Sequence, residues 1–257
     1  MKLRALGSTG IDVSPLGLGT VKIGRNEQVK YPQGFEIPGD ADVRGLLMQA
    51  WDLGINFIDT APAYGNSEQR LGQLLPHADD WVIMTKVGEI FENGKSRFDF
   101  TAEHTRRSVE RSLKKLNRDS VDIVLVHSDG NDMDIIENQA ALETLEKMKQ
   151  QGLIRAFGMS TKTVEGGLWV VEHTDVVMAT FNLETDAELP VIERALALNK
   201  GVVIKKGLQS GHAESVEDAF RYVLTQPGVS SMIVGTINPE HLRSNVEICN
   251  RVTRNLD

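Results

Sequence analysis

The sequence predicts a (β/α)8 TIM barrel, a closed parallel α/β barrel formed as one domain over residues 1–257. Three observations lead there. Eight short apolar runs alternate with amphipathic stretches from end to end, at 15–20, 56–60, 81–87, 121–127, 156–160, 176–182, 202–206 and 231–235. Those runs do not alternate polar with apolar, as parallel strands covered on both faces should not. An open doubly wound sheet is the competing architecture. It is weakened because no G-x-G-x-x-G follows any run, and Gly17-Leu-Gly19-Thr-Val-Lys22 fails at the third position.

The elements follow in order. Turn residues Gly7-Ser-Thr-Gly10 within the first ~14 residues predict a short hairpin before the barrel. Helical spacing is clearest at 101–117, where Val109, Leu113 and Leu116 fall on one face, and at 134–151, where Ala141, Leu145 and Met148 do the same. Further helices are expected at 41–53, 67–75, 161–173, 187–199, 215–226 and 239–252. Gly54, Gly152 and Gly201 each follow a helical stretch, where positive φ is often required. Ser215-Val-Glu-Asp218 has the composition of a helix N-cap. With a helix between successive strands, closure into a barrel is the expected topology.

Composition narrows the partners. Hydrophobic residues make up 40% and charged residues 25%, enough to fill a sizeable core. The formal net charge of -8 argues against a polyanion, so neither nucleic acid nor a membrane is expected as partner. The basic cluster from Arg106 to Lys115 is interleaved with Glu110 and apolar residues and reads as a solvated helix face. Cys249 is the single cysteine, expected to be a small buried apolar residue in a reducing compartment. The N-terminus has no leader-like apolar stretch, so a soluble cytoplasmic protein is expected. The six histidines show no paired ligand spacing, so no metal is expected.

Working residues of such a barrel sit at the C-terminal ends of its strands. Those positions hold Asp59, Lys86 and His127, with Tyr64 five residues beyond Asp59. Singly, each has a plain structural use: a turn cap, a packed ring, a rim lysine, a hydrogen-bonded histidine. Jointly, they place ionisable groups on adjacent strands without an evident structural need. A cation beside a phenol favours the phenolate, a carboxylate fixes the cation, and a histidine can hold a carbonyl oxygen.

The segment Gly54-Ile-Asn-Phe-Ile-Asp-Thr-Ala-Pro-Ala-Tyr-Gly65, then Ser67-Glu-Gln-Arg-Leu-Gly72, resembles the first signature of the aldo-keto reductases. Val82-Ile-Met-Thr-Lys86, Val121-Asp-Ile-Val-Leu-Val-His127 and Ile154-Arg-Ala-Phe-Gly-Met-Ser160 resemble later family segments in order, and the likeness runs from Leu3 to Asn245. The resemblance implies an NADP(H)-dependent, possibly NAD(H)-using, carbonyl reductase acting on a small aldehyde or ketone. It implies a catalytic tetrad of Asp59, Tyr64, Lys86 and His127, with Tyr64 as general acid. It also implies cofactor contacts at Gly19, Thr20, Ser160, Lys205, Lys206, Gly207, Leu208, Gly235, Thr236, His241 and Asn245.

Departures from the family pattern are local. Thr161 stands where Asn is usual beside Ser160, Met178 where a Gln is usual, and Lys205 where an aromatic often stacks on the nicotinamide. Lys205 and Lys206 either approach the cofactor's phosphates or are solvated. A helix starting near Pro239 is expected to offer free N–H groups to an anion, with Asn245 at the adenine. Gly235 and His241 replace cations that often meet a 2′-phosphate, leaving Thr236 and Arg243 for that task. Loops are reduced except at 21–40, which reads either as a surface loop or as a lid, so the substrate site is expected to be permissive. Two rival functions stand beside the reductase: a cofactor-binding regulatory barrel with little turnover, and a Schiff-base enzyme using Lys86.

Overall fold

A computed structural model of the chain describes residues 1–254. The chain opens with an antiparallel hairpin of β1 (Arg4–Ala5) and β2 (Asp12–Val13). The barrel strands are β3 (Leu16–Gly19), β4 (Phe57–Asp59), β5 (Val82–Val87), β8 (Val121–His127), β9 (Ile154–Ser160), β10 (Val176–Thr180), β11 (Gly201–Lys205) and β12 (Ser231–Val234), all parallel and closed in that order. A second antiparallel hairpin, β6 (Glu89–Glu92) with β7 (Lys95–Phe98), follows β5. The helices are α1 (Val21–Gly24), α2 (Asp40–Asp52), α3 (Ser67–Leu74), α4 (Ala102–Leu116), α5 (Asp132–Asn138), α6 (Ala141–Gln150), α7 (Val164–His173), α8 (Leu189–Ala197), α9 (Val216–Leu224) and α10 (Pro239–Thr253).

Two layers of apolar packing hold this arrangement. The barrel interior is filled by Phe57, Met84, Leu125, Ala156, Met178 and Val203 from successive strands, with Leu6, Ile11 and Val13 of the first hairpin closing the N-terminal end. The larger outer layer lies between strands and helices and includes Cys249, which is fully buried as expected. Burial of this kind contributes about 25 cal/mol per Å2 of apolar surface, so the barrel is a filled core.

Two local expectations change. The periodic stretch 134–151 is two helices, because Gln139 is extended at φ -118 and ψ 159. The parts serve different neighbours: Asp132, the first residue of α5, lies against Gly166 of α7, while α6 packs on β9. After α8 the left-handed residue is Asn199 (φ 51), while Gly201 begins β11, where a Cβ would come within 2.7 Å of Leu6. Gly54 and Gly152 do take positive φ, at 84 and 77, and Ser215 accepts from Asp218 N as a cap should.

The hairpin after β5 was not expected. Its turn residues Asn93 (φ 52) and Gly94 (φ 71) are both left-handed, the geometry that matches strand twist in a two-residue turn. Segment 25–39 lacks regular structure but is tied down. Arg70 donates to Ile23 O at 2.7 Å and to Pro38 O at 2.8 Å, and Arg25 donates to Ala63 O at 3.1 Å. Its Tyr31 hydroxyl reaches the end of β12, where a Cβ on Gly235 would stand 3.2 Å from it.

Candidate active site

The register places Asp59 beside Met84 and Lys86 beside Leu125, so the ends of β4, β5 and β8 form one continuous rim. Lys86 is 2% and Asp59 5% exposed, and the two form a direct ion pair. Lys86 Nζ also donates to Thr60 O at 3.0 Å and to the Tyr64 hydroxyl at 3.1 Å. The Tyr64 and His127 rings meet edge to face with centroids 6.4 Å apart. The four side chains singled out from sequence therefore converge on one spot at the barrel mouth.

Backbone packing fixes the phenol. Gly65 has φ 64, and a Cβ there would sit 2.0 Å from Gly24 O; a Cβ on Gly24 would sit 2.2 Å from Tyr64 O. Two glycines thus let the end of α1 press directly on the Tyr64 turn. Below it, Ser67 Oγ donates to Thr20 Oγ1 at 2.8 Å, and Thr20 Oγ1 donates to Asp59 O at 2.9 Å. Thr20 is buried and its hydroxyl is committed to holding β3 against β4.

The electrostatics differ from the simple expectation at Tyr64. Burial raises its phenol well above the usual value, and the negative charges of Asp59 and Glu89 add to that. The charge of Arg25 opposes the rise. The phenol is therefore a persistent proton carrier near neutrality.

One residue at this rim escaped sequence reasoning. Glu89, at the start of β6, brings Oε2 to 2.8 Å from His127 Nδ1. The contact is an ion-pair approach and not a hydrogen bond, and Nδ1 has no hydrogen-bond partner among the described residues. Ser96 of β7 donates to Glu89 at 2.6 Å, and Arg25 lies 3.7 Å from it while stacking on Phe91. Against the cost of burial, the charges of His127 and Arg25 and the bond from Ser96 hold the Glu89 carboxyl down to about 2. Burial lowers the His127 imidazole below its ordinary value, with Glu89 opposing and Lys86 and Lys205 adding to the fall.

The other expected contacts line the far side of the mouth. Gly19 and Gly235 face each other, where a Cβ on Gly19 would lie 3.4 Å from Gly235 N. Lys205 donates to Ser160 Oγ at 2.8 Å, and burial lowers its ammonium to about 8. Thr161 donates to Glu188 at 3.3 Å, and Met178 is sealed in the barrel interior, so neither offers an amide-like contact. Lys206 is exposed, and its ammonium is lowered by burial and by Lys30 and Lys162. Gly207 packs so tightly on Met232 that a Cβ would come within 2.2 Å of sulfur, and Leu208 is half-buried beyond it. Thr236 and Asn245 are buried at the start and middle of the final β12–α10 unit, and His241 is exposed.

The start of α10 corrects one expectation. Its first amides are not free: Asn238 Oδ1 accepts from Glu240 N at 2.8 Å and from His241 N at 3.3 Å, and Pro239 has no N–H. The side chain has satisfied the orphan donors that an anion would otherwise use. A surface cavity of about 960 Å3 lies elsewhere, lined by Asp79, Glu110, Arg118, Asp122 and Arg155 near the strand starts. Three of its charges pair with one another, Asp122 lying 2.7 Å from Arg155 and 3.3 Å from Arg118.

Among the described residues no group of histidine, cysteine and carboxylate side chains is arranged to hold a metal, and no helix is long and apolar enough to cross a membrane. Similarity to known proteins agrees with the fold. Over 96% of this chain and 87% of its own length, L-galactose dehydrogenase of Arabidopsis thaliana is 35% identical. The NADH-specific methylglyoxal reductase of Escherichia coli is 33% identical over 62% of this chain and 51% of its own. A solved Pseudomonas aeruginosa structure assigned to the aldo-keto reductases superposes with a TM-score of 0.91 at 55% identity, covering 97% of this chain and 94% of that one. The model of the Aldo/keto reductase family matches residues 15–215, and with the barrel closed around this rim, the chain belongs to that family of oxidoreductases.

Proposed function

We propose that the chain interconverts a small carbonyl compound and its alcohol using a nicotinamide cofactor, with Tyr64 giving the proton to the substrate oxygen. The observation that carries this is the buried Asp59–Lys86 pair bonded to the Tyr64 hydroxyl at the barrel mouth. Lys86 orients the phenol, Asp59 holds Lys86, and His127 contacts the substrate oxygen from the opposite side. A phenol raised in this way always has its proton to give, and general acid catalysis of this kind contributes ~10²–10⁴-fold. The three partners of the Lys86 nitrogen weigh against its use as a Schiff-base amine.

The residues present fit a nicotinamide cofactor. Gly19 and Gly235 leave a cradle that a Cβ would fill, and the side chain of Asn245, buried on α10, has no protein partner among the described residues. Lys30, Lys162 and Lys206 gather positive charge from three elements on a chain of net charge -8, a suitable seat for a pyrophosphate. The cofactor supplies the hydride; the protein supplies orientation and the proton. Arg243, exposed on α10 with no protein partner among the described residues, supports NADP(H) over NAD(H), with discrimination on the order of 10–100-fold because Gly235 and His241 offer no firm cation.

Fluorescence titration with NADPH and NADH, followed by an aldehyde panel with the tighter one, tests both parts. Binding with steady turnover is the expected result. Tight coenzyme binding with no turnover of any aldehyde or alcohol would favour the regulatory barrel instead.

A further inference from the structure

We propose that Tyr31 is a coenzyme-binding residue: from the tip of segment 25–39 its hydroxyl donates to the pyrophosphate of a coenzyme seated on Gly19 and Gly235, and the tip opens to admit that coenzyme and closes on it. The inference deepens the proposed function and rests on that reading for where the coenzyme lies.

The path of the chain puts Tyr31 there. Segment 25–39 leaves the barrel after β3 and α1 and returns at α2. Its neck is closed where Asn26 Nδ2 donates to Phe35 O at 3.4 Å, so residues 27–34 form a compact loop. On one side Glu27 reaches the turn of the β6–β7 hairpin, 3.7 Å from where a Cβ on Gly94 would stand. On the other, Pro32 Cδ lies 3.3 Å from where a Cβ on Gly211 would stand, in the loop after β11. The loop therefore spans the mouth, and Tyr31, next to Pro32, lies over the cradle. A Cβ on Gly235 would be 3.2 Å from the Tyr31 hydroxyl and 3.3 Å from Gly19 O, so Tyr31 and Gly19 bound the same small space.

The hydroxyl carries the inference. The half-buried Tyr31 ring meets Phe35 edge to face at 5.7 Å, and the Lys22 ammonium lies 4.0 Å from its centroid. Its hydroxyl, however, has no hydrogen-bond partner among the described residues. A tyrosine held in this way normally finds a partner for its O–H. Burial and the charge of Asp59 raise the phenol to about 12, so near neutrality it is a donor. The acceptor it lacks is an anion, because cations gather around it. Lys22 sits on the ring, Lys30 is its neighbour in the chain, and Lys206 is close enough to Lys30 to feel its charge. A pyrophosphate supplies both the negative charge and the acceptor oxygens, and a bond to it is charge-assisted.

The loop is built to lift at its tip. Its ends are anchored, Arg25 donating to Ala63 O at 3.1 Å and Arg70 to Pro38 O at 2.8 Å. Among the described residues no hydrogen bond ties 29–34 to the barrel. Opening therefore breaks only side-chain packing, chiefly Pro32 on Gly211 and whatever Tyr31 holds.

Binding measurements test this. Fluorescence titration with NADPH and NADH, and calorimetry with ADP-ribose, compare the parent chain with Tyr31→Phe, which keeps the ring on Lys22 and Phe35. All three ligands carry the pyrophosphate, and each should bind the variant about tenfold more weakly, the loss expected for a hydrogen bond to a charged group. The NADPH-to-NADH ratio and the urea midpoint should not move. In stopped-flow mixing, the parent's binding rate should level off at high NADPH, where opening limits entry. Tyr31→Ala should show a rate that rises linearly and a faster release. Unchanged affinity in Tyr31→Phe overturns the inference, and so does tighter binding, which would make Tyr31 a plug in the cradle. A linear rate in the parent overturns the opening step. Weakened binding with no turnover of any aldehyde defeats the proposed function alone, whereas turnover with unweakened binding defeats this inference alone. A parent chain that binds none of the three ligands defeats both.

Discussion

Removing the Lys86 ammonium should damage stability before it damages chemistry. Lys86 and Asp59 are 2% and 5% exposed, so Lys86→Met strands a carboxylate in a site closed to water. Breaking a buried pair from one side typically costs ~3–5 kcal/mol. For a chain of this length each kcal/mol shifts the midpoint by about 2–4 °C, so a fall of roughly 6–20 °C is expected. Asp59→Asn should cost a similar amount by stranding the ammonium. The double variant Asp59→Asn/Lys86→Met removes both charges and should be more stable than either single variant. It keeps a deficit of about 1–2 kcal/mol because Thr60 O and the Tyr64 hydroxyl still lose their donor. Urea unfolding followed by tryptophan fluorescence and circular dichroism measures all four chains, and equal slopes license the comparison. A Lys86→Met chain within 1 kcal/mol of the parent, or a double variant less stable than both singles, would show that the pair is not a closed electrostatic unit.

Four further outcomes are expected. Tyr64→Phe should keep coenzyme affinity while carbonyl reduction falls ~10²–10⁴-fold, and near-normal turnover of a good aldehyde would remove the phenol from the mechanism. Lys206→Ala should weaken NADPH and NADH alike and flatten the salt dependence of binding; an unchanged salt dependence would leave Lys206 as a solvated surface residue. Lys205 titrates near 8 when folded, below the ordinary lysine value, so the unfolded chain holds more protons between those limits and stability should rise with pH there. Lys205→Met should lose that rise, and identical slopes in the two chains would contradict it. Arg243→Ala should weaken NADPH more than NADH in fluorescence titrations; equal weakening, or an NADH preference in the parent, would overturn the NADP(H) assignment.

The barrel was legible because its strands are buried on both faces and its helices on one, so two periodicities alternate cleanly along the chain. Where the reading slipped, a tertiary contact overrode a local pattern. Ala141, Leu145 and Met148 do share a buried face, and the period alone carried the helix back to 134. What breaks it is Asp132, whose carboxylate accepts from Lys162 N at 2.8 Å and Thr163 N at 2.7 Å and pins α5 to the loop after β9. No helical period records a carboxylate that bonds a loop thirty residues away. Gly201 misled for a similar reason: its missing Cβ makes room for Leu6, a long-range packing need, while Asn199 supplies the left-handed turn.

At the rim, the residues found from sequence lie at the ends of β4, β5 and β8 or just beyond β4, where barrel geometry says to look. Glu89 lies outside that rule because it reaches His127 from a hairpin inserted between β5 and α4. A signal for the hairpin was present in Asn93-Gly94, the dipeptide that tolerates positive φ at both central positions of a tight turn. Reading it would have placed Glu92 and Lys95 across from each other, and with them Glu89 across from Phe98 at the mouth. The partner at Nδ1 would still have required the fold. An inserted element is thus where the chain departs from what the barrel alone specifies, and it is also what brings a carboxylate to His127.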